Sequence, residues 1–155
     1  MIPEPVLARP EPVALTIDDI GVRAAPVVGV GVTPDGQLEV PDETEVGSYV
    51  LGARPGQPGA IVLASHVSWN RKVGLFARLG RLEPGQRVTV SLADGGARRY
   101  QVVERAQYGK QGLPTDRIWT RTGAETLVLI TCGGSFNPSL HRYADNIVVY
   151  AVSVA

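Results

Sequence analysis

Ala60-Ile61-Val62-Leu63-Ala64-Ser65-His66 is the stretch on which the fold turns. Successive side chains of an extended strand alternate sides, so Val62, Ala64 and His66 share one face and Ile61, Leu63 and Ser65 the other. Both faces are largely apolar, the pattern of a strand covered on both sides in a sheet centre or a barrel wall. A second run, Leu127-Val128-Leu129-Ile130-Thr131-Cys132, has the same character and opens into Gly133-Gly134.

Further strands lie around these two. Arg87-Val88-Thr89-Val90-Ser91-Leu92 alternates and ends at Asp94-Gly95-Gly96, and Arg99 to Glu104 returns as its hairpin partner. Residues 15–32 hold two short strands, and Pro34-Asp35-Gly36 turns the chain before Gln37 to Pro41. Leu75 and Leu79, spaced by four, suggest a helical turn, and 109–123 reads as a loop region. Glu125 to Cys132 and Asp145 to Val152 are the closing strands, joined by a loop through Phe136 and Pro138. With 18 glycines and 12 prolines punctuating short strands, the chain is expected to be mainly β, a closed or nearly closed barrel with minor helix. Residues 1–14 carry four prolines and read as an extended arm or linker remnant, leaving 15–155 as one domain.

A length of 155 residues and 44% hydrophobic content suit a single domain with a substantial core. Fifteen basic residues balance fifteen acidic ones, so no net field draws nucleic acid or an anionic membrane, and no nucleic-acid partner is expected. No run approaches the roughly 18 apolar residues of a membrane span, and the first residues lack a basic region followed by an apolar signal core.

The single cysteine, Cys132, and one of two histidines, His66, each close an apolar run. A thiol and an imidazole are the raw material of an acyl-transfer site, in which the thiolate attacks and the imidazole exchanges protons. Free cysteine is also a common core residue, and a histidine at a strand end can be merely structural. Such a site needs compensation of oxyanion charge, for which Arg142, near the last strand, has the donors. His141 is a competing imidazole in a polar loop, and Asp145 can orient either histidine. One cysteine and two histidines lack the ligand spacing of a zinc site, and no glycine-rich phosphate loop is present, so neither metal nor cofactor is expected.

Leu129-Ile130-Thr131-Cys132-Gly133-Gly134-Ser135-Phe136 resembles the cysteine motif of sortases, with the Cys-Gly-Gly extension similar to class F enzymes of actinobacteria. Ala60 to Val67 resembles the histidine strand of that family, Phe76-Ala77-Arg78-Leu79 the turn that follows, and Arg142 to Ala151 the final strand. The resemblance implies an eight-stranded sortase-type β barrel that cleaves a sorting signal at a Thr-Gly bond. It assigns Cys132 as nucleophile, His66 as acid and base, and Arg142 as oxyanion or substrate contact, with Thr131 as the motif threonine.

In many sortases the arginine lies five residues before the alanine that ends the last strand motif, and that position is Asn146 here. Arg142 stands four residues earlier, a displacement of roughly 13 Å along an extended strand. It matches the arginine-tyrosine that precedes Asp-Asn in the class F ending. Two further departures are Ser65, where glycine commonly precedes the histidine, and Val46-Gly47-Ser48-Tyr49, where tryptophan often precedes the tyrosine.

The implied partners are the sorting-signal peptide of surface proteins and a cell-wall precursor amine. The implied location is the extracellular face of the membrane, reached through an anchor absent from this chain. Hydrolytic release of the cleaved peptide uses the same residues, and a non-enzymatic β domain binding peptide or wall components is the alternative from another class.

Overall fold

The computed structural model describes residues 10–32, 38–42, 44–66, 68–69, 72–109, 113–137 and 142–154, with the backbone path alone at 68–69, 72, 132–137 and 142–145. The expected turn at Pro34-Asp35-Gly36 and the arm up to residue 9 lie outside these residues. Among them no helix is long and apolar enough to cross a membrane.

The strands are β1 (Pro12–Ile17), β2 (Val22–Val30), β3 (Val46–Tyr49), β4 (Ala60–Ala64), β5 (Ser68–Trp69), β6 (Lys72–Val73), β7 (Arg87–Leu92), β8 (Ala97–Gly109), β9 (Thr126–Asn137) and β10 (Arg142–Val154). Eight of them close into one barrel in the order β1-β2-β3-β4-β9-β10-β8-β7, and β5 and β6 form a separate two-stranded ribbon. Among the described residues helix is confined to α1 (Thr115–Ile118) and two single 3-10 turns. The barrel is mixed, because β2 pairs β3 and β4 pairs β9 in parallel while the other pairs run antiparallel.

Parallel pairing of β4 with β9 explains why both runs are apolar on two faces. Ile61 and Leu63 join Leu127, Leu129, Val149 and Ala151 inside the barrel, against Leu15, Val88 and Tyr100. Val62 and Ala64 join Val128, Ile130, Val148 and Tyr150 in a second cluster on the opposite face, where Ile118 of α1 is fully buried. Tyr49 and Trp119 pack edge to face beside that cluster, their ring centroids 5.2 Å apart.

The end of the barrel where β4 begins is pinned by backbone contacts that only glycine permits. Gly59 has φ +99°, and a Cβ there would stand 2.7 Å from the Arg121 backbone carbon. Its carbonyl accepts the Thr126 N–H at 2.9 Å, and the Ala60 N–H donates to the Thr120 carbonyl at 2.8 Å. This clamp sets the register of β4 against β9.

Glu125 holds the same end together. It accepts from Arg98 Nε at 2.6 Å and Nη2 at 2.5 Å, from the Tyr100 hydroxyl at 2.6 Å and from the Gly56 N–H at 2.9 Å. Burial alone would raise its pKa, but the hydrogen bonds from Arg98, Tyr100 and Gly56 outweigh it and hold the carboxyl below its ordinary 4.5. A depressed folded-state pKa contributes stability that is present above the unfolded value and is lost as pH falls through the folded value. Glu125→Gln is therefore expected to cost about 2 kcal/mol at pH 7, since the Glu125 side chain is only 12% exposed while Arg98 keeps 38%. It should also flatten the acid limb of a plot of Tm against pH. An acid limb as steep as that of the parent protein would remove Glu125 as its source.

Several segments differ from the sequence-based expectation. β1 begins at Pro12, inside the proline-rich stretch read as an arm, because Pro12 pairs with Leu92 of β7. Val46–Tyr49 is a barrel strand, too short to announce itself by alternation. The region 109–123 contains α1, a single turn of helix with no side-chain cap. β8 and β9 run beyond the expected strands to Gly109 and Asn137, because β10 pairs along both of them.

Candidate active site

The two apolar runs lie side by side with a constant offset. Each β9 residue number exceeds that of its β4 partner by 66, from Ala60 with Thr126 to Ala64 with Ile130. The ladder continues one step further, where the Ser65 N–H donates to the Ile130 carbonyl at 3.3 Å. β4 itself ends at Ala64, and carried past its end the same offset would set His66 level with Cys132. Adjacent strands are about 4.8 Å apart, so the two backbones come within reach of side-chain contact.

His66 is held at that level from several directions. Its carbonyl accepts the Phe76 N–H at 3.1 Å, and the Phe76 side chain is fully buried. The His66 side chain is half-buried, with its Nε2 shielded from solvent. Ser65 just before it is only 2% exposed and donates its hydroxyl to the Glu45 carbonyl at 3.0 Å. The serine that stands where glycine is common thus ties the histidine segment to the chain entering β3.

On its other side Cys132 pairs with Asn146 of β10. Thr131 is buried and belongs by alternation to the barrel interior with Leu127 and Leu129; its Oγ1 has no hydrogen-bond partner among the described residues.

Arg142 is not brought to this level by its backbone. It pairs with Asn137, five positions beyond Cys132 on β9, or about 16 Å along a strand. The register shifts between Tyr143 and Asp145, so a bulge separates Arg142 from the regular ladder. Asp145 pairs with Gly133 on one side and Gly109 on the other. His141, the competing imidazole, lies outside the described residues.

A family model described as the sortase domain matches residues 15–154, nearly the whole chain. The chain belongs to the sortase family. Its barrel is similar to that of a Clostridium perfringens sortase D5 transpeptidase, with 20% identity over 97% of this chain and 86% of that one and a TM-score of 0.69. It is also similar to sortase C-1 from Actinomyces oris (21% identity, 94% and 76% coverage, TM-score 0.70). A lid mutant of sortase A from Corynebacterium diphtheriae matches with 18% identity, 95% and 72% coverage and a TM-score of 0.71. At such identities the likeness is one of fold. No curated protein matches the sequence.

Family membership and barrel agree with each other. β4 ends at Ala64 beside Ile130, while β9 runs on past that level to Asn137.

Proposed function

We propose that this chain is a cysteine transpeptidase of the sortase family, similar to class F enzymes, that cleaves a sorting signal at a Thr-Gly bond and passes the acyl group to a cell-wall-linked amine. The observation that carries the reading is the offset of 66 between β4 and β9, the same number that separates His66 from Cys132.

In the first half-reaction the Cys132 sulfur attacks the threonine carbonyl carbon. The carbon-nitrogen bond to glycine breaks, His66 delivers a proton to the departing amine, and a thioester remains on Cys132. In the second, an acceptor amine attacks the thioester carbonyl, His66 takes up the proton that the amine loses, and the cysteine leaves. The barrel holds nucleophile and acid in place, and the ribbon after His66 and the glycine pair after Cys132 flank the peptide. Arg142 contacts either the oxyanion or the bound peptide, and its distance along β9 favours the peptide. The enzyme works at the extracellular face of the membrane, where sorting-signal peptides meet wall-precursor amines.

Incubating the protein with a peptide containing a Leu-Pro-x-Thr-Gly-like signal, with and without amine acceptors, tests the reading by product mass. An amide joined to the acceptor is expected. Hydrolysed peptide alone across a broad acceptor panel would make the chain a peptidase, and no cleavage at all would favour a binding domain. In the same assay Arg142→Ala is expected to lower kcat/KM by about 100-fold, chiefly through KM if it holds the peptide and chiefly through kcat if it meets the oxyanion. Turnover equal to that of the parent protein would remove Arg142 from the site.

A further inference from the structure

The antiparallel pairing of β9 with β10 places opposite Cys132 a residue to which the mechanism assigns no part. Asn146 is the direct partner of Cys132, and residues directly opposite in such a pair project from the same face with Cβ atoms about 5 Å apart. The half-buried Asn146 side chain turns back across the pair, and its Nδ2 donates to the Thr131 carbonyl at 3.2 Å. That carbonyl belongs to the peptide unit that leads into Cys132.

We infer that Asn146 is a positioning residue for the nucleophile. The regular β9–β10 register ends one pair later, at Gly133 with Asp145, before the shift at Tyr143. Gly133-Gly134 follows the cysteine, and glycine gives the backbone its greatest freedom. Cys132 therefore stands one pair before the register shift of its strand. The buried Thr131 hydroxyl finds no hydrogen bond among the described residues, so the Thr131 side chain adds no polar restraint there. The carboxamide of Asn146 supplies one by tying the 131–132 peptide unit across the pair. Loosening that tie lets the sulfur wander from the line of attack on the acyl carbon, which slows bond formation without weakening peptide binding.

This role rests on the acyl-transfer reading for its consequence but not for its geometry, so two measurements separate them. The first is amide hydrogen exchange by NMR on the intact domain. Asn146→Ala and Asn146→Asp should both speed exchange at 131–133 by about tenfold while leaving 127–129 unchanged, since alanine has no donor and a carboxylate cannot donate. The second is single-turnover acylation by a Leu-Pro-x-Thr-Gly peptide. Both variants should acylate at least about tenfold more slowly with KM within about twofold of the parent value and with Tm nearly unchanged.

Unchanged exchange at 131–133 in either variant would overturn the tie. Acylation at the parent rate, or a loss confined to KM, would overturn its role in positioning. If the parent protein itself forms no acyl-enzyme with any sorting peptide, the proposed function fails, whereas the exchange result still decides whether Asn146 restrains the Cys132 backbone.

Discussion

Replacing Cys132 with alanine is expected to abolish peptide cleavage and covalent capture together, while the barrel stays folded. No other thiol exists in the chain, so no neighbouring sulfur can substitute. The proposed mechanism passes through a thioester, and without the sulfur that reaction has no intermediate through which to divide its barrier. Cys132 lies in a strand whose backbone is paired to β10, and alanine preserves that backbone pairing. Intact-mass spectrometry after incubation with peptide should show an acyl adduct on the parent protein and none on the variant, and their far-ultraviolet circular dichroism should coincide. Cleavage retained by the alanine variant would exclude Cys132 as the nucleophile.

His66→Gln should have the next largest effect, a fall in turnover of about 1000-fold with KM little altered. Glutamine can hydrogen-bond from the same place, but it cannot take up a proton near neutral pH and return it to the leaving amine. The backbone site should tolerate the change because it is held by the Phe76 N–H on the His66 carbonyl and by the Ser65 N–H on Ile130, neither of which involves the ring. The pH-rate profile of the parent protein should show a limb that the variant lacks. A glutamine variant with the parent rate, or with the parent pH profile, would mean that another group moves the proton. Because His141 is the only other imidazole, His141→Gln is the natural companion variant.

The candidate site and the mainly β fold were legible wherever the signal was local. The two-sided apolar runs that became β4 and β9 announced strands covered on both faces, and they are buried on both. The β7–β8 hairpin followed from alternation around Asp94-Gly95-Gly96, and Val88 pairs with Tyr100 within it. β3 was hidden because four residues, one of them glycine, hold too little alternation to stand out. α1 was hidden because one helical turn has no period, and what stabilises it is the burial of Ile118 against β4 and β9, a contact between distant parts of the chain.

Sequence alone determined the chemistry on offer, namely one thiol, two imidazoles and an arginine near the last strand, with Cys132 and His66 each closing an apolar run. It also determined the strand character of those runs, because side-chain alternation is a property of neighbours along the chain. Only tertiary structure decided who stands beside whom. The offset of 66 follows from the backbone clamp at Gly59, Thr120 and Thr126, and the opposition of Asn146 to Cys132 follows from the β9–β10 register. Strand register is fixed by hydrogen bonds between residues far apart in sequence, and a slip of one residue would send every side chain to the other face. For that reason the candidate residues and the displacement of Arg142 along the last strand could be stated in advance, while the pairing of Arg142 with Asn137 and of Asn146 with Cys132 came only from the register.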